Sequence, residues 1–297
     1  MDLNSFLEVV KDNMQYLVGD EAEVEIKEIS KNNGKLFHSI TVHDKKSNCA
    51  PSMYLDEMFE NYKRGMSIEE IMETLRKLYS NSRIDGDIDM SFFTDYERVS
   101  EKVVIKLINY DKNVQLLENV PHRRYEDLAI CYYCEISDSR LGDGHILIKN
   151  EHIKTWGVDE ERLYEDAMRN SPRLNPVSVN SLMDTVAELS GVDDIGIEDD
   201  MGILVVTNEK KVLGAATILY PGVLQDISDR LQSDLFIIPS SVHEVLVMPT
   251  NLGYDPDEIS KLKNIVECVN SESVAEVDLL SYNIYLYDRI TGKIIQK

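Results

Sequence analysis

The sequence predicts an α+β protein in which helices pack beside antiparallel hairpins. Period-two alternation of apolar residues around tight turns predicts the hairpins, and apolar stripes at helical spacing predict the helices. The order helix, hairpin, helix recurs near the start, around Gly142 and around Glu209. Because only the order of the elements recurs and the residues do not, the sequence indicates a weak helix-hairpin-helix pseudo-repeat.

The length and charge of the chain limit the classes of function. With 297 residues we expect an N-terminal helix and hairpin region over 1–100 and a main α+β domain over 101–297. Lysine and arginine total 31 against 54 acidic residues, and the resulting charge of −23 disfavours binding to nucleic acids and anionic membranes. The chain lacks a signal-peptide pattern and an apolar run of about 20 residues, so we expect a cytoplasmic protein.

The first hundred residues predict a helix, a hairpin and two further helices. The hairpin pairs residues 21–29 with residues 36–42 around an Asn-Asn-Gly turn. Ser67 and Glu70 have the spacing of a capping box at the start of the last helix. The first helix, over residues 4–17, has an apolar stripe that consists of Leu3, Phe6, Leu7, Val10, Met14 and Leu17.

The middle of the chain is less regular. Residues 103–108 fit a strand or a buried helix turn, and periodicity does not decide between them. The other predicted elements are a short helix over 111–117, strands over 128–136 and 146–148, helices capped by Asn150 and by Asp159, a helix around Val186, and an acidic linker over 193–200.

The last third has the strongest local signals. Apolar runs over 203–206 and 212–216 flank a polar turn and predict a hairpin. Pro221 is expected at the first position of the next helix, where its missing N–H costs nothing. The remaining predicted elements are strands over 235–238 and 245–248, a helix capped by Asp255, and a final hairpin that pairs 282–287 with 293–296.

The four cysteines do not predict a metal site. Cys131 and Cys134 lie in a β-rich run, and residues three apart on a strand point to opposite faces. No second CxxC completes a zinc site. We therefore expect reduced, mostly buried thiols at Cys49, Cys131, Cys134 and Cys268, and the sequence predicts neither a metal nor a cofactor.

The segment Pro-Ser-Ser-Val-His-Glu at residues 239–244 is the best candidate for catalysis. Ser241, His243 and Glu244 are the residue types that nucleophilic catalysis uses, with His243 as general base and Glu244 or a distant acid orienting it. Neighbouring side chains point apart, however, and Ser241 and Glu244 also have capping-box spacing. A hydrolase site and a structural turn therefore both remain open.

A second candidate is the basic cluster His122-Arg123-Arg124, which stands out in an acidic chain. These side chains are suited to binding an anion, although such clusters are also found in salt-bridged loops. The common signatures of nucleotide-binding loops, zinc proteases and α/β-hydrolases are absent from the sequence.

Several short segments resemble an uncharacterised bacterial family, domain of unknown function 5688. The resemblance is carried by Lys-Leu-Ile-Asn-Tyr at 106–110, Val-Pro-His-Arg at 120–123, Asp-Leu-Ala at 127–129, Trp-Gly-Val at 156–158, Gly-Ala-Ala at 214–216, Leu-Tyr-Pro-Gly at 219–222, residues 239–244 and Tyr-Leu-Tyr-Asp-Arg at 285–289. The resemblance implies a cytosolic protein, and it does not indicate any activity because none is assigned to the family.

The sequence thus favours a non-enzymatic, cytosolic accessory protein that binds another protein. One variant of this interpretation is a mimic of DNA, which would require carboxylates arrayed along one face. The alternative is a hydrolase that uses the 239–244 segment.

Overall fold

The computed structural model describes residues 1–83, 86–138, 142–190, 202–252, 264, 266–268, 270–271 and 274–297. The described chain forms two compact units. The first comprises residues 1–92 with 138–142, and the second comprises residues 93–137 with 143–297. Helices and antiparallel sheets together confirm the predicted α+β class.

The helices are shortest in the middle of the chain. The α-helices are α1 (Leu3–Val18), α2 (Asp56–Lys63), α3 (Ile68–Ser82), α4 (Tyr96–Ser100), α5 (Val114–Leu117), α6 (Asn150–Trp156), α7 (Glu160–Leu174), α8 (Leu182–Ser190) and α9 (Val223–Leu231). Short stretches of 3₁₀-helix cover Gly19–Glu21, Asn32–Gly34, Ser91–Thr94, Asp111–Asn113, Gly214–Leu219 and Thr250–Leu252.

The strands form a separate sheet in the first unit and two sheets in the rest of the described chain. They are β1 (Ala22–Ser30), β2 (Leu36–Asp44), β3 (Ser52–Tyr54), β4 (Val103–Asn109), β5 (His122–Tyr125), β6 (Leu128–Asp138), β7 (Gly142–Leu147), β8 (Val177–Ser181), β9 (Leu204–Asn208), β10 (Leu235–Pro239), β11 (Val245–Pro249), β12 (Tyr285–Asp288) and β13 (Lys293–Gln296). The sheet orders are β1-β2-β3, β4-β6-β5 with β7 also on β6, and β13-β12-β10-β11-β9-β8.

The first unit follows its sequence pattern closely. The apolar stripe of α1 buries Phe6, Val10 and Met14 in a core with residues of the β1–β2 hairpin. Asp2 caps this helix by accepting a hydrogen bond from the Ser5 N–H, and the predicted capping box at Ser67 is formed on α3. The stripe was predicted one residue too long, because the side chain at its end, Leu17, is 45% exposed.

The four-stranded sheet of the second unit is held by α7. Residues 103–108, left undecided by periodicity, form β4, which pairs with β6. Ser171 on α7 accepts a hydrogen bond from the Ile105 N–H at 3.0 Å, and the Asn170 amide donates to the Ser100 and Val103 carbonyls. These buried hydrogen bonds fix the position of α7 along β4. They thereby also determine where the side chains in the first turns of α7 lie.

The predicted hairpin over 203–216 is wrong. β9 pairs with β8 and β11, which are distant in sequence, and residues 212–216 do not form a strand. Lys211 and Leu213 have φ values of 54° and 57°, which interrupt an extended chain, and the 3₁₀ turn that follows is buried. A short apolar run is consistent with a strand or with a buried helical turn, and here tertiary packing selects the second.

Several smaller differences between the predicted and the observed elements have the same cause, because tertiary packing also decides the local structure there. The third copy of the pseudo-repeat lacks its hairpin, and β8 was not predicted. Asn150 is the first residue of α6 and not its cap, and its amide donates to the Glu118 carbonyl. α9 begins at Val223, so Pro221 precedes the helix. The predicted linker over 193–200 and the helix start at Asp255 lie outside the described residues.

Two of the four cysteines are buried. Cys131 and Cys134 are fully buried on β6, and burial raises their thiol pKa values to about 12 and about 11. Cys49 is half-buried, but Cys268 is exposed, which corrects the expectation of a mostly buried set. Among the described residues, no helix combines the length and apolar character needed to cross a bilayer, and no three potential ligands converge on a metal position.

Candidate functional site

The segment 239–244 forms the connection between β10 and β11. The Ser241 N–H donates to the Glu244 carbonyl at 3.1 Å, and the Ser241 hydroxyl accepts from the His243 N–H at 3.0 Å. No helix follows, so the capping box suggested by the Ser241 and Glu244 spacing is not formed. The serine instead makes the local hydrogen bond that is typical of a turn.

The imidazole of His243 joins three parts of the second unit. Its Nδ1 accepts a hydrogen bond from the Leu213 N–H at 3.1 Å, so the proton of the neutral ring lies on Nε2. Nε2 lies 3.2 Å from a carboxylate oxygen of Asp278, to which it can donate. The hydroxyl of Thr207 donates to the backbone carbonyl of His243 at 2.7 Å. Both ring nitrogens therefore hold neighbouring segments in place.

This geometry does not assemble a catalytic relay from the three residues. The oxygen of Ser241 is bonded to the backbone of His243 and not to its ring, and the serine is only 8% exposed. The partner of the imidazole is Asp278 rather than Glu244. Since a general base needs a free ring nitrogen within hydrogen-bond reach of the nucleophile, the segment lacks the arrangement of a hydrolase.

The basic cluster is divided by the alternation of β5. Arg123 points to one face, where its Nε lies 2.8 Å from a Glu160 carboxylate oxygen and its guanidinium also pairs with Glu161. The pKa of Arg123 is raised, mainly by its hydrogen bonds to Glu160. Its guanidinium carbon lies 3.8 Å from the centroid of the Tyr164 ring. Arg123 is therefore neutralised by carboxylates.

The neighbours of Arg123 face the other way. His122 bonds through Nδ1 to the Val120 carbonyl at 2.9 Å, and Arg124 lies over the Tyr110 ring, 4.4 Å from its centroid. Arg124 forms no ion pair with any described residue. It lines a surface cavity of about 400 Å³ that also contains carboxylates such as Asp127. The three side chains do not converge, and an anion site remains a prediction for Arg124 alone.

A different cavity, which we call the tyrosine cavity, lies entirely within the second unit and has a volume of about 310 Å³. Four tyrosines from separate elements wall it: Tyr125 at the end of β5, Tyr164 on α7, Tyr220 after the 3₁₀ turn, and Tyr287 on β12. Its apolar lining includes Ile130, Ile218, Leu219, Leu224 and Ile294. Its volume falls at the lower end of the range for ligand pockets, roughly 300–1,000 Å³.

Two of these tyrosines are fixed and two have unused hydroxyls. Tyr287 is 5% exposed and donates to the Gln225 side chain at 2.8 Å, and Tyr220 is 6% exposed. Tyr125 and Tyr164 are half-buried, and their hydroxyls make no hydrogen bond with any described residue. The cavity thus combines a rigid side with two polar groups that are available to an occupant.

Carboxylates lie near three of the wall tyrosines without lining the cavity. Burial and the nearby Glu126 raise the pKa of Tyr125 to about 12. Burial and the charge of Glu135 raise the pKa of Tyr220, and burial with the charges of Asp229 and Asp288 raises that of Tyr287. The phenols of Tyr125, Tyr220 and Tyr287 are therefore neutral at physiological pH. Glu126 and Asp288 contribute negative potential near the cavity, whereas Glu135 and Asp229 are paired with Lys210 and Arg289.

A model of a family of unknown function, DUF5688, matches residues 3–289. The chain belongs to this family. No curated protein and no solved structure matches it.

The sequence of this DUF5688 chain does not indicate the tyrosine cavity. Leu219 to Gly222 carries the family resemblance and Pro221 is expected to start a helix, while Tyr287 lies in the predicted final hairpin. The only available signal was the presence of tyrosines in several predicted elements. Tyrosine is also a common packing residue, so this signal could not indicate which of the rings share one cavity.

Proposed function

We propose that this chain is a non-enzymatic, cytoplasmic accessory protein, and that its tyrosine cavity receives a side chain of a protein partner. The observation that carries the proposal is the pair of tyrosines, Tyr125 and Tyr164, whose hydroxyls make no hydrogen bond with a described residue and which line a cavity of mixed polar and apolar character. Tyrosine is enriched at protein interfaces because its ring contributes apolar contact area while its hydroxyl can form a hydrogen bond.

The alternative of a hydrolase has less support. The Ser241 oxygen and both nitrogens of the His243 ring have partners that belong to the scaffold of the second unit. A binding role needs no such reactive group. The charge of −23 further favours a basic protein over a nucleic acid or an anionic membrane as the partner.

The proposal can be tested by filling the cavity. Ile294 lines it from β13, whereas the next residue, Ile295, is exposed and points to the opposite face of the strand. Ile294→Trp should occupy the cavity, and Ile295→Trp adds the same bulk outside it. Immobilised wild-type protein and both variants would be compared as baits in lysate of the source cells, with bound proteins identified by mass spectrometry.

We expect one or more proteins to be captured by the wild type and by Ile295→Trp, and to be lost with Ile294→Trp by about tenfold or more, the effect of removing one central contact. Equal capture by all three baits would contradict a role for the cavity. Labelling of the wild type by a serine-reactive probe, together with loss of labelling in Ser241→Ala, would favour the hydrolase.

A further inference from the structure

We propose that the group received by the tyrosine cavity is a guanidinium, the side chain of an arginine in a basic partner protein. This inference rests on the proposed function, because it identifies the chemistry recognised at the same cavity. It predicts a preference for positive charge, which the proposed function does not require.

The walls of the cavity favour an organic cation. The faces of tyrosine rings carry negative potential that attracts cations, and the attraction grows when water is excluded. No charged side chain lines the cavity. The guanidinium of Arg123 contacts the Tyr164 ring but does not line the cavity, and its charge is balanced by Glu160 and Glu161. Glu126 and Asp288 lie close enough to Tyr125 and Tyr287 to contribute negative potential from outside, whereas the charge of Glu135 is balanced by Lys210.

The free polar groups favour guanidinium over a simple ammonium. A guanidinium is planar, weakly hydrated and has five N–H donors, so it can stack on one ring while it donates to oxygens at its edge. The hydroxyls of Tyr125 and Tyr164 can accept such bonds. The chain already shows the stacking geometry, because its own Arg123 lies 3.8 Å from the centroid of the Tyr164 ring.

A pair of isosteric compounds tests the charge directly. N-acetyl-argininamide carries the guanidinium, and N-acetyl-citrullinamide has nearly the same shape with a neutral urea. Full-length protein labelled with ¹³C in its tyrosine rings would be titrated with each compound and followed by NMR. We expect the arginine compound to bind in the millimolar range and the citrulline compound to bind about tenfold more weakly.

Three variants connect binding to the cavity and to its surrounding charge. Ile294→Trp should abolish the tyrosine shifts caused by the arginine compound, and Ile295→Trp should preserve them. Glu126→Gln removes a negative charge near Tyr125, and the Glu126 side chain is exposed. It should weaken binding of the arginine compound about twofold and leave the citrulline compound unaffected.

The failures of the two proposals are distinguishable. Equal binding of both compounds at the cavity would overturn the guanidinium inference while leaving a side-chain-binding cavity in place. Absence of binding by the arginine compound up to about 50 mM, well above the expected millimolar affinity, would also overturn it. The proposed function would then be judged separately by the capture experiment with Ile294→Trp and Ile295→Trp.

Discussion

The turn at 240–244 and the tyrosine cavity lie in the same unit and differ in how their polar atoms are used. The turn contains residue types that catalysis needs, yet the Ser241 hydroxyl and both nitrogens of the His243 ring are bonded to the scaffold. The cavity contains residues that commonly serve packing, yet Tyr125 and Tyr164 keep unused hydroxyls beside open volume. Capacity for binding therefore depends on which groups the fold leaves unpaired.

The largest expected effect concerns the scaffold around the turn. Gly214 lies where an added Cβ would stand 2.6 Å from the Asn208 nitrogen and 2.6 Å from the His243 carbonyl oxygen, in addition to contacting the Thr207 hydroxyl. Backbone atoms cannot rotate away, so Gly214→Ala should destabilise the second unit by about 3 kcal/mol. Denaturant unfolding followed by the fluorescence of Trp156, the single tryptophan, measures this unit.

Gly144→Ala is the matched control for this measurement. Gly144 lies on β7, and nothing stands within 4 Å of the position of an added Cβ. We expect a change of less than about 1 kcal/mol for this variant. A similar small loss in Gly214→Ala would show that the contact between the 3₁₀ turn and the 240–244 turn is loose, and that His243 is less firmly held than its hydrogen bonds indicate.

The contrast also explains what could be predicted from the sequence. α1 and α3 were predicted because their stripes and caps are local signals, and the β1–β2 hairpin because its turn and alternation are adjacent. β8 and the 212–216 segment were missed or misassigned because their structure depends on distant partners.

The same reason separates the two candidate sites. The catalytic hypothesis used residues that are consecutive in sequence, whereas the actual partner of His243 is Asp278. The tyrosine cavity collects Tyr125, Tyr164 and Tyr287 from three elements that only tertiary packing brings together. No local pattern could have indicated this set of residues.

The second largest expected effect on stability concerns Glu135, whose charge raises the pKa of Tyr220 in the cavity wall. Its side chain is 14% exposed. Burial alone would raise its pKa, but the neighbouring His145 imidazole and hydrogen bonds from Asn175 and Lys210 outweigh burial and lower the pKa to about 2. Because the charged form is favoured in the folded state, Glu135→Gln should cost roughly 2 kcal/mol at pH 7.

The sign of the pH dependence follows from the lowered pKa. The contribution of Glu135 is fully present above its ordinary value of 4.5 and is lost as the pH falls toward about 2. The stability difference between wild type and Glu135→Gln should therefore shrink across that interval, as measured by unfolding at a series of pH values. Glu209→Gln, at an exposed position, is the control. A difference that stays constant with pH would contradict the paired carboxylate.

The smallest expected effect tests the turn itself. Ser241→Ala removes the acceptor of the His243 N–H and should destabilise the protein by about 1 kcal/mol, or lower Tm by about 2–4 °C. Ser240, half-buried in the same turn, makes no side-chain hydrogen bond with a described residue, so Ser240→Ala should have a smaller effect. Thermal melts of both variants, run beside a serine-reactive probe on wild-type protein, separate a structural serine from a nucleophile. If Ser241→Ala melts like the wild type while the wild-type serine reacts with the probe, the comparison between turn and cavity fails, because the turn would then hold a reactive group that the fold does not need.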